Sequence, residues 1–398
     1  MDYRMPNKSM SEISYGGGIR EILARADELQ RSGRDILHME IGRPDFDSPE
    51  PAKRAAIRAI ESGDVHYTDM SGTPELRGEI AAKYKRDAGM DVDPDREIVV
   101  TSGAIEALMS VFLTVLNQGD EVITPSPFFP VYDDIIKMNG GVVRKVPSRI
   151  EKGFRPQPGD IEAAVTPKTR AIIINSPNNP TGATSTREEL VGIAETAQKH
   201  DLLVVSDECY EKFAYDVQTP HISMATLPGM RERTFTLSAA SKTFSMTGWR
   251  VGWLLVPPET KMYIMKGHQG IATCANSFAQ AGVAEALRSC QPDVDRMIEE
   301  YKRRRDLMVG MLSEMKGIET PTPRGAFYVF PSIKALGIPS FEFCARLLEE
   351  KGVSTVPGQP FGSEDGYMRI TYCRPENEIR EAMTRMADFV AGLGKQTL

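Results

Sequence analysis

The sequence lacks the features that mark membrane-spanning, disulfide-bonded and nucleic-acid-binding proteins. No apolar run reaches the ~20 residues that a membrane-spanning helix requires, and the polar start of the chain contains no signal-type apolar stretch. The five cysteines show no paired spacing, which argues against a disulfide framework or a zinc site. The net charge is −7 and there is no long basic run, so we expect no nucleic-acid or membrane partner. These absences predict a cytoplasmic protein without a bound metal, in which local positive groups hold any anionic ligand.

Internal repeats, low-complexity tracts and Gly/Ser-rich linkers are also missing, which argues against a solenoid or tethered modules. At 398 residues and 41% hydrophobic content, the chain is long enough for a large core and two folding units. Short β-branched runs alternate with helical patterns, and this alternation predicts an α/β fold with a mainly parallel sheet flanked by helices. The predicted strands are Glu97–Thr101, Glu121–Thr124, Val142–Val146, Ala171–Asn175, Leu202–Ser206, Thr234–Ser238 and Val251–Val256.

After residue 292 the pattern changes. A long charged helix is predicted over 292–315, and another helix over 340–351. Short strand candidates lie around the second helix, at 326–330 and 367–372. This part of the chain therefore predicts a second, smaller α+β unit packed closely against the first.

Small and polar residues follow two of the predicted strands, where parallel sheets place their ligand sites. Ser102, Gly103 and Ala104 open a helix whose free N–H groups form an anion site. A capped helix without a ligand would have the same sequence. The segment 175–182 contains two prolines and a glycine, which stiffen a loop that aims Asn179 at a ligand. An ordinary turn is the alternative there.

The segment Ser238–Arg250 carries a lysine and an arginine among small and polar residues. Lys242 can form a Schiff base with a carbonyl group, and the planar guanidinium of Arg250 can bind a phosphate with two parallel hydrogen bonds. Asp207 ends an apolar strand and needs a partner if it is buried, which a pyridinium nitrogen would provide. Pyridoxal phosphate meets all three requirements, although solvated surface groups are the common alternative for lysine and arginine.

With these motifs in this order, the chain resembles a fold-type I, class I/II aminotransferase that uses pyridoxal 5′-phosphate. The resemblance runs from about Ile19 to Arg374. It implies a large domain with a mainly parallel seven-stranded sheet flanked by helices, and a smaller α+β domain. We expect residues 46–291 to form the large cofactor-binding domain, and residues 1–45 together with 292–398 to form the small one.

The resemblance also implies roles for the residues around the cofactor. Lys242 corresponds to the Schiff-base lysine and Asp207 to the partner of the ring nitrogen. Asn179 and Tyr210 correspond to the groups that hydrogen-bond the ring oxygen. The phosphate-binding residues implied are Ser102, Gly103, Ala104 and Arg250. One position departs from the family pattern, because Ala239 stands where a phosphate-binding serine or glycine is usual. Either Ser238 or Ser241 compensates, or the phosphate site has one donor fewer.

Two aromatic residues belong to the same resemblance. Phe129 corresponds to the residue that stacks on the cofactor ring; core packing, or an exchange of roles with Phe128, is the alternative. Tyr67 corresponds to a tyrosine that reaches the phosphate of the neighbouring subunit, with a surface tyrosine as the alternative. A homodimer with shared active sites is therefore expected, in which the loop Thr273–Asn276 also comes from the partner.

The residues that the resemblance assigns to the substrate are Arg369, Gly42 and Asn179. Arg369 corresponds to the arginine that binds the α-carboxylate of an amino acid with two hydrogen bonds. Gly42 corresponds to the glycine whose backbone approaches the same carboxylate, where a Cβ would obstruct it. An edge arginine and a turn glycine are the alternatives.

The implied reaction moves an amino group between an α-amino acid and a 2-oxo acid by ping-pong transfer, with the freed Lys242 amine as the base. A β- or γ-lyase or a synthase of the same fold would use the same groups. A pyridoxal-phosphate-binding regulator is a further alternative, but no DNA-reading helix pair or basic face is recognisable.

Substrate choice rests on weaker signals. Ile105 is apolar where a cation could favour an acidic side chain, and Thr273–Asn276 contains no arginine. These residues favour a neutral or aromatic amino acid, or broad specificity with 2-oxoglutarate as one partner. Aspartate stays open, because a moving arginine such as Arg20 could bind its side chain.

Overall fold

The computed structural model describes residues 8–11, 13, 18–216 and 218–393. The strands are β1 (Leu37–His38), β2 (Ile98–Thr101), β3 (Glu121–Ser126), β4 (Val142–Pro147), β5 (Thr169–Asn175), β6 (Leu203–Asp207), β7 (Thr234–Ala239), β8 (Gly252–Leu255), β9 (Tyr328–Val329), β10 (Val353–Ser354), β11 (Val356–Pro357) and β12 (Met368–Thr371). The helices are α1 (Lys8–Ser11), α2 (Gly18–Arg31), α3 (Glu50–Glu61), α4 (Pro74–Ala88), α5 (Ala104–Val115), α6 (Val131–Met138), α7 (Pro158–Ala163), α8 (Arg187–Lys199), α9 (Ala240–Thr243), α10 (Lys261–Ile271), α11 (Ser277–Ser289), α12 (Gln291–Ser313), α13 (Ser340–Lys351) and α14 (Glu376–Leu393).

A seven-stranded sheet with the order β2-β8-β7-β6-β5-β3-β4 forms the largest element of the fold. All neighbours are parallel except β8, which runs antiparallel to both β2 and β7. Every residue of β7 is buried, as is Ala171–Ile174 of β5. The segment Ala171–Ile174 is a continuous apolar run, as expected of a strand that is covered on both faces. Strand β7 is buried throughout although threonine and serine alternate with its apolar residues. The predicted α/β fold with a mainly parallel sheet is confirmed.

Local sequence signals explain where the helices begin. Thr73 caps α4 by accepting a hydrogen bond from the Leu76 amide, and Pro74 follows as the first helical residue. A capping box begins α8, in which Thr186 and Glu189 accept each other's backbone N–H groups. Helix α5 begins directly after β2, so its first turn lies at the edge of the sheet.

The remaining strands form two small sheets that join distant parts of the chain. Strand β1 pairs in parallel with β10, and β12 lies between β11 and β9 in an antiparallel sheet. Helix α13 has the predicted bounds, and α12 begins and ends close to its prediction. The short strands β9 and β12 lie inside the predicted strand regions. The proposed domain limits at residues 46 and 291 stay a prediction, which the pairing of β1 with β10 supports.

Within the described part of the chain, every helix is too short or too polar to cross a membrane. All five cysteines are free, and four of them are buried. The expected cytoplasmic location stays a prediction.

Candidate active site

A cavity of about 290 Å³ opens where the carboxyl ends of β5, β6 and β7 meet the small sheet that contains β9 and β12. Parallel sheets bind ligands at this end because the loops after the strands converge there. The cavity brings together most of the site residues expected from sequence: Gly42, Ala104, Phe129, Asn179, Asp207, Tyr210, Ser241, Lys242, Arg250 and Arg369.

Lys242 lies in α9, one turn after the end of β7, and its amine points at the cavity wall. The Nζ atom donates a 2.8 Å hydrogen bond to the carbonyl oxygen of Gly42. Burial lowers the pKa of Lys242, and the nearby charges of Arg369 and Arg250 lower it further against the opposing influence of Cys373 and Cys209. The amine therefore loses its proton more readily than an ordinary lysine.

Asp207, the last residue of β6, is a buried carboxyl that two donors hold in place. The Tyr132 hydroxyl donates to Oδ2 at 2.6 Å, and the backbone N–H of Cys209 donates to Oδ1 at 3.1 Å. Burial raises the pKa of Asp207, and these two hydrogen bonds offset only part of the rise. Among the residues that the structure describes, no cationic side chain forms an ion pair with this carboxylate, and a cationic ring nitrogen would supply that partner.

The loop after β5 is fastened to the end of β6 by Asn175. Its Nδ2 atom donates to the Asp207 carbonyl at 3.0 Å, and its Oδ1 atom accepts from the Asn179 amide at 2.8 Å. The same side chain therefore contacts both residues expected to bind the cofactor ring. The two prolines stiffen this loop, and these two hydrogen bonds stiffen it further.

Tyr328 of β9 completes the wall between the ring-binding residues and the substrate-binding residues. Its hydroxyl lies 3.0 Å from the Tyr210 hydroxyl, and the guanidinium of Arg369 lies 4.7 Å from the centre of its ring. Burial raises the pKa of Tyr328 to about 12, although Arg369 and Tyr210 act in the opposite direction. Tyr328 therefore stays a neutral hydroxyl in the cavity wall.

The need for glycine at residue 42 has a reason that sequence analysis did not identify. A Cβ at this position would lie 1.9 Å from the Tyr328 hydroxyl. The expected reason was the approach of a substrate carboxylate, but in the protein itself Tyr328 already excludes any side chain. The carbonyl of Gly42 is also the acceptor for Lys242.

The expected phosphate-binding region is a compact turn in which Arg250 packs against Gly103. Gly103 has φ of 88°, and a Cβ there would lie 2.5 Å from an Nη atom of Arg250. The Arg250 guanidinium donates to the carbonyls of Thr247 and Ser102. Ala104 and Arg250 line the cavity, whereas the predicted phosphate-binding residues Ser102 and Gly103 are not among its lining residues. The Ser102 amide already donates to Glu106 at 2.8 Å, which leaves it engaged inside the protein.

The environment of Ala239 decides between its two neighbouring serines. The Ser238 hydroxyl donates to Glu211 at 3.3 Å, on the side of β7 away from the cavity, because successive residues of a strand face opposite sides. Ala239 and Ser241 line the cavity. Ser241 is thus the serine positioned to replace the missing hydroxyl.

Arg369 is a buried residue of β12, and only 7% of it is exposed. Its Nη2 atom donates to the Glu40 carbonyl at 2.6 Å, and its Nη1 atom donates to Asn179 Oδ1 at 3.1 Å. The Nε atom is buried without a hydrogen-bond partner in the described structure. Each Nη atom carries two N–H groups and donates one of these hydrogen bonds, so the guanidinium keeps donors for an anionic ligand.

The two expected aromatic residues occupy different environments. Phe129 lines the cavity and meets Tyr132 edge to face at 5.7 Å. Phe128 is only 2% exposed and packs against the position of Gly362, so the geometry favours Phe129 as the stacking residue. Tyr67 is 87% exposed and does not line the cavity. An intramolecular role in this site is therefore excluded for Tyr67 in the described arrangement.

Three residues of the site were missed by sequence analysis: Tyr132, Asn175 and Tyr328. Asn175 stood in the motif around Asn179, and its place as the last residue of a strand was a usable signal. Tyr132 looks like part of the apolar face of α6, and Tyr328 looks like part of an apolar strand. Their roles depend on contacts with residues far away in the chain, which leave no local pattern.

Comparisons with known proteins identify the relatives of this fold and site. The family model for aminotransferase class I and II matches residues 34–386. Aromatic-amino-acid aminotransferase 2 of Thermococcus litoralis is 42% identical over 362 residues, which cover 90% of this chain and 92% of the relative. Aspartate aminotransferase of Pyrococcus abyssi is 42% identical over 356 residues, which cover 89% of this chain and 91% of the relative. The solved structure of Thermus thermophilus aspartate aminotransferase with maleate has a TM-score of 0.91 at 36% identity, and the match covers 97% of this chain and 99% of that one.

Proposed function

Because the chain belongs to the aminotransferase class I and II family and is an aminotransferase, we propose that pyridoxal 5′-phosphate binds in the cavity around Lys242 and serves ping-pong amino transfer there. The supporting observation is that Lys242, Asp207 and Arg250 line one cavity. An amine, a buried carboxyl and a guanidinium are the groups that an aldehyde, a ring nitrogen and a phosphate require. When bound, the cofactor supplies an electron sink for the bond broken at the substrate Cα.

Asp207 would hold the ring of the bound cofactor at its nitrogen and favour the cationic form of that nitrogen. The raised pKa of Asp207, which burial causes, means that its negative charge is under-compensated in the free protein. Tyr132 and the Cys209 amide hold both carboxylate oxygens in fixed directions. A positively charged ring nitrogen is therefore favoured at this position over a neutral one.

Lys242 holds and moves the proton. Burial lowers the pKa of Lys242, so a neutral amine forms more easily at working pH, and a neutral amine can accept a proton from the substrate Cα. The carbonyl of Gly42 is the resting acceptor for the same Nζ atom. This contact keeps the amine at the cavity wall while it is not bonded to the cofactor.

Arg250 and Arg369 bind the two anionic ends of the ligands. Arg250 and the first turn of α5 at Ala104 provide positive charge for a phosphate. Arg369 lines the cavity beside Asn179 and keeps one N–H group on each Nη atom, which suits a carboxylate beside the ring. The phosphate of the cofactor and the carboxylate of the amino acid are thereby bound by two different arginines of one cavity.

The preferred substrates are neutral or aromatic amino acids, with 2-oxoglutarate as one amino acceptor. Ile105 and Leu108 line the cavity and give it an apolar part, and 47% of Ile105 is exposed there in the single chain. Apolar surface of this kind favours an apolar side chain over a carboxylate. One relative is named an aromatic-amino-acid aminotransferase and another an aspartate aminotransferase. Aspartate is therefore the substrate against which this preference must be tested.

A homodimer with shared active sites is part of the proposal. Tyr67 is highly exposed, and so are the apolar side chains of Ile57, Ile60 and Val65 near it in the chain. Exposed apolar residues concentrated in one segment mark a protein contact. The loop that follows Tyr67 is held in place by Gln280, which binds Thr68 and the Thr73 amide. Tyr67 is thus presented outward on a fixed support, as a residue for a neighbouring site would be.

A panel of half-reactions tests the proposal. The cofactor-loaded protein is mixed with one amino acid at a time, without any acceptor, and conversion of the cofactor to its amino form is followed by absorbance. We expect rapid conversion by aromatic and neutral amino acids and by glutamate. Conversion by aspartate, with aromatic and aliphatic amino acids inert, would overturn the proposed specificity.

The same panel distinguishes amino transfer from elimination. A β- or γ-lyase would release ammonia and pyruvate from a cysteine conjugate without an acceptor oxo acid.

Borohydride reduction of the loaded protein, followed by peptide mapping, should label Lys242. A label on another lysine would refute the assignment of this cavity.

A further inference from the structure

A second polar cluster lies directly behind the candidate site. Glu208, which follows Asp207, lines a cavity of about 240 Å³ together with Glu211 and His221. Ser238 connects the two regions, since its hydroxyl donates to Glu211 while its neighbour Ala239 faces the candidate site.

His221 bridges two segments of the candidate site. Its Nδ1 atom lies 3.0 Å from the carbonyl oxygen of Ser176, and its Nε2 atom lies 3.2 Å from Oε2 of Glu208. A carbonyl oxygen only accepts hydrogen bonds, so Nδ1 carries a proton. An ionised carboxylate also only accepts, so Nε2 carries a proton as well. The geometry therefore describes an imidazolium with both N–H groups engaged.

Glu208 depends on His221 for a positive charge at ion-pair distance, because the neighbouring lysines contact other carboxylates. Lys83 lies 2.6 Å from Glu211 and 3.5 Å from Asp87, and Lys212 lies 2.9 Å from Asp87. The remaining groups that line this cavity include the cationic Arg187 of α8, the phenol of Tyr84 and the hydroxyl of Ser223. Among the described residues, His221 is the only cation within ion-pair distance of Glu208.

A bound metal ion is the weaker interpretation of this cluster. Glu208, Glu211 and His221 each offer a ligand atom, and these atoms lie within 4.8 Å of one another. The Lys83 ammonium, however, already contacts Glu211 at 2.6 Å and would repel a second cation. Both ring nitrogens of His221 are engaged as donors, which leaves no lone pair for a metal. The cluster is therefore an internal ion-pair network.

The two ends of the bridge are adjacent to the two ring-binding segments. Ser176 lies between Asn175 and Asn179, and Glu208 follows Asp207 in the chain. On the cavity side, Asn175 already joins these segments through the Asp207 carbonyl and the Asn179 amide. The parallel pairing of β5 with β6 also joins them, but it ends at Asn175 and Asp207. His221 joins Ser176 and Glu208, the next residue of each segment, where the strand pairing has ended.

We propose that His221 is a positioning residue of the candidate site, whose bridge from Ser176 to Glu208 holds Asp207 and Asn179 in the relative orientation that the cofactor ring needs. This inference rests on the proposed function. Its own content is that a histidine outside the cavity controls how tightly and in what orientation the cofactor is bound. No contact between His221 and the ligand is required.

The charge on His221 gives the bridge a defined pH dependence. Burial by itself lowers the pKa of His221, but the hydrogen-bonded charge of Glu208 and the charge of Glu211 outweigh burial and raise it above 6.5. A raised folded-state pKa means that the stabilisation is fully present below about 6.5 and is lost as pH rises through the folded-state pKa. Deprotonation leaves Glu208 buried without a cation and next to Asp207, so the orientation of both carboxylates is disturbed.

Substitutions at both ends of the ion pair test the inference. His221→Gln leaves the buried Glu208 without a cation, and we expect the dissociation constant for pyridoxal 5′-phosphate to rise at least tenfold and the visible circular dichroism of the bound cofactor to change. The double variant His221→Gln/Glu208→Gln contains neutral groups that can hydrogen-bond each other. We expect it to recover most of the affinity and to lose the pH dependence near the His221 pKa.

His200→Gln is the matched control. His200 also faces a glutamate, with its Nε2 atom 3.7 Å from Glu162, but this pair is on the surface. We expect His200→Gln to bind the cofactor like the wild type at every pH. Thermal unfolding of each variant without cofactor reports any purely structural effect, which would lower the melting temperature but leave the circular dichroism and the pH profile of binding unchanged in the folded fraction.

A titration without cofactor completes the test. The chain has five histidines, so the His221 ring signal can be assigned in an NMR spectrum by its loss in His221→Gln. We expect this ring to titrate above pH 6.5. A neutral ring at pH 6, or wild-type binding and dichroism in His221→Gln, would overturn the inference alone. Failure of the wild-type protein to bind pyridoxal 5′-phosphate would overturn the proposed function together with it.

Discussion

Tyr132 donates its hydroxyl proton to Asp207 at 2.6 Å, and this contact joins the first turn of α6 to the end of β6. Both groups are buried, so the hydrogen bond forms in surroundings of low polarity, where a bond to a charged acceptor is strong. It stabilises the ionised form of a carboxyl whose pKa burial raises. The contact therefore sets how readily Asp207 can pair with a cationic ring.

Tyr132→Phe should weaken that pairing without removing the carboxyl. Loss of one hydrogen bond to a charged group costs about 1.5–3 kcal/mol, so we expect cofactor affinity and kcat to fall by roughly tenfold or more. Equilibrium binding of pyridoxal 5′-phosphate and half-reaction rates measure the two effects. Unchanged values for both would show that Tyr132 only fills space.

Asp207→Asn should slow the reaction without lowering the thermal stability of the cofactor-free protein. Because burial raises the pKa of Asp207, its stabilising contribution is present below about pH 3.8 and is lost as pH rises through the folded-state pKa. At neutral pH the cofactor-free Asn variant should therefore unfold at a temperature no lower than the wild type. Proton abstraction should slow on the order of hundreds-fold or more, because a neutral amide cannot keep the ring nitrogen protonated.

Thermal unfolding of the cofactor-free proteins and half-reaction rates of the loaded ones check this pair of outcomes. Near-normal turnover in Asp207→Asn would remove Asp207 from the proposed chemistry. A large loss of stability without cofactor would show instead that the carboxylate is already compensated by its neighbours.

Gly42→Ala should impair the site through Tyr328. The new Cβ would meet the Tyr328 hydroxyl at 1.9 Å and its ring at 2.6 Å, so the tyrosine must move and its contact with Tyr210 is lost. We expect kcat/KM to fall at least tenfold. Gly78→Ala is the control, since nothing lies within 4 Å of that Cβ and the residue is inside α4. Helix propensity predicts a stabilisation of up to about 1 kcal/mol there, with unchanged kinetics.

Mixing two inactive variants tests the shared active site. In a mixed dimer of Lys242→Ala and Tyr67→Ala subunits, one site contains both changes and the other site is fully native. Activity should therefore appear after subunit exchange if Tyr67 acts in the neighbouring site. No recovery in mixed dimers whose formation has been verified by mass spectrometry would place Tyr67 outside the catalytic machinery.

All seven predicted strands of the large sheet exist, and their limits are close to those of the structure. The signal is strongest in the central strands β5 and β6, where buried positions on both faces give continuous apolar runs. The edge strand β4 has only one buried residue and carries Arg144 and Lys145, so its β-branched residues were the signal there. Strands β1 and β11 have two residues each, and runs of that length give no periodicity to detect.

The site was predictable where a local motif carries the chemistry and unpredictable where a side chain acts at a distance. Asp207 ends the apolar strand β6, and a polar residue at the end of an apolar run is visible in one dimension. Lys242 follows β7 by three residues, within a segment of small and polar residues that is equally visible. His221 reaches Ser176 and Glu208 from a separate segment, and neither neighbour lies beside it in sequence. Pairing of this kind is decided by the packing of whole elements, which a single sequence does not display.

The parallel pairing of β1 with β10 has a consequence for how the protein is made on the ribosome. Residues 37–38 emerge early and stay without their strand partner until residues 353–354 have been synthesised. The carbonyls of Glu40 and Gly42, which accept hydrogen bonds from Arg369 and Lys242, follow directly after β1. Domains form as units during synthesis, the earlier one first, so the strands of the large sheet can assemble while this N-terminal segment is still waiting. A nascent chain can therefore acquire the buried lysine before it acquires the cavity around that lysine, and cofactor capture becomes an event of the completed chain.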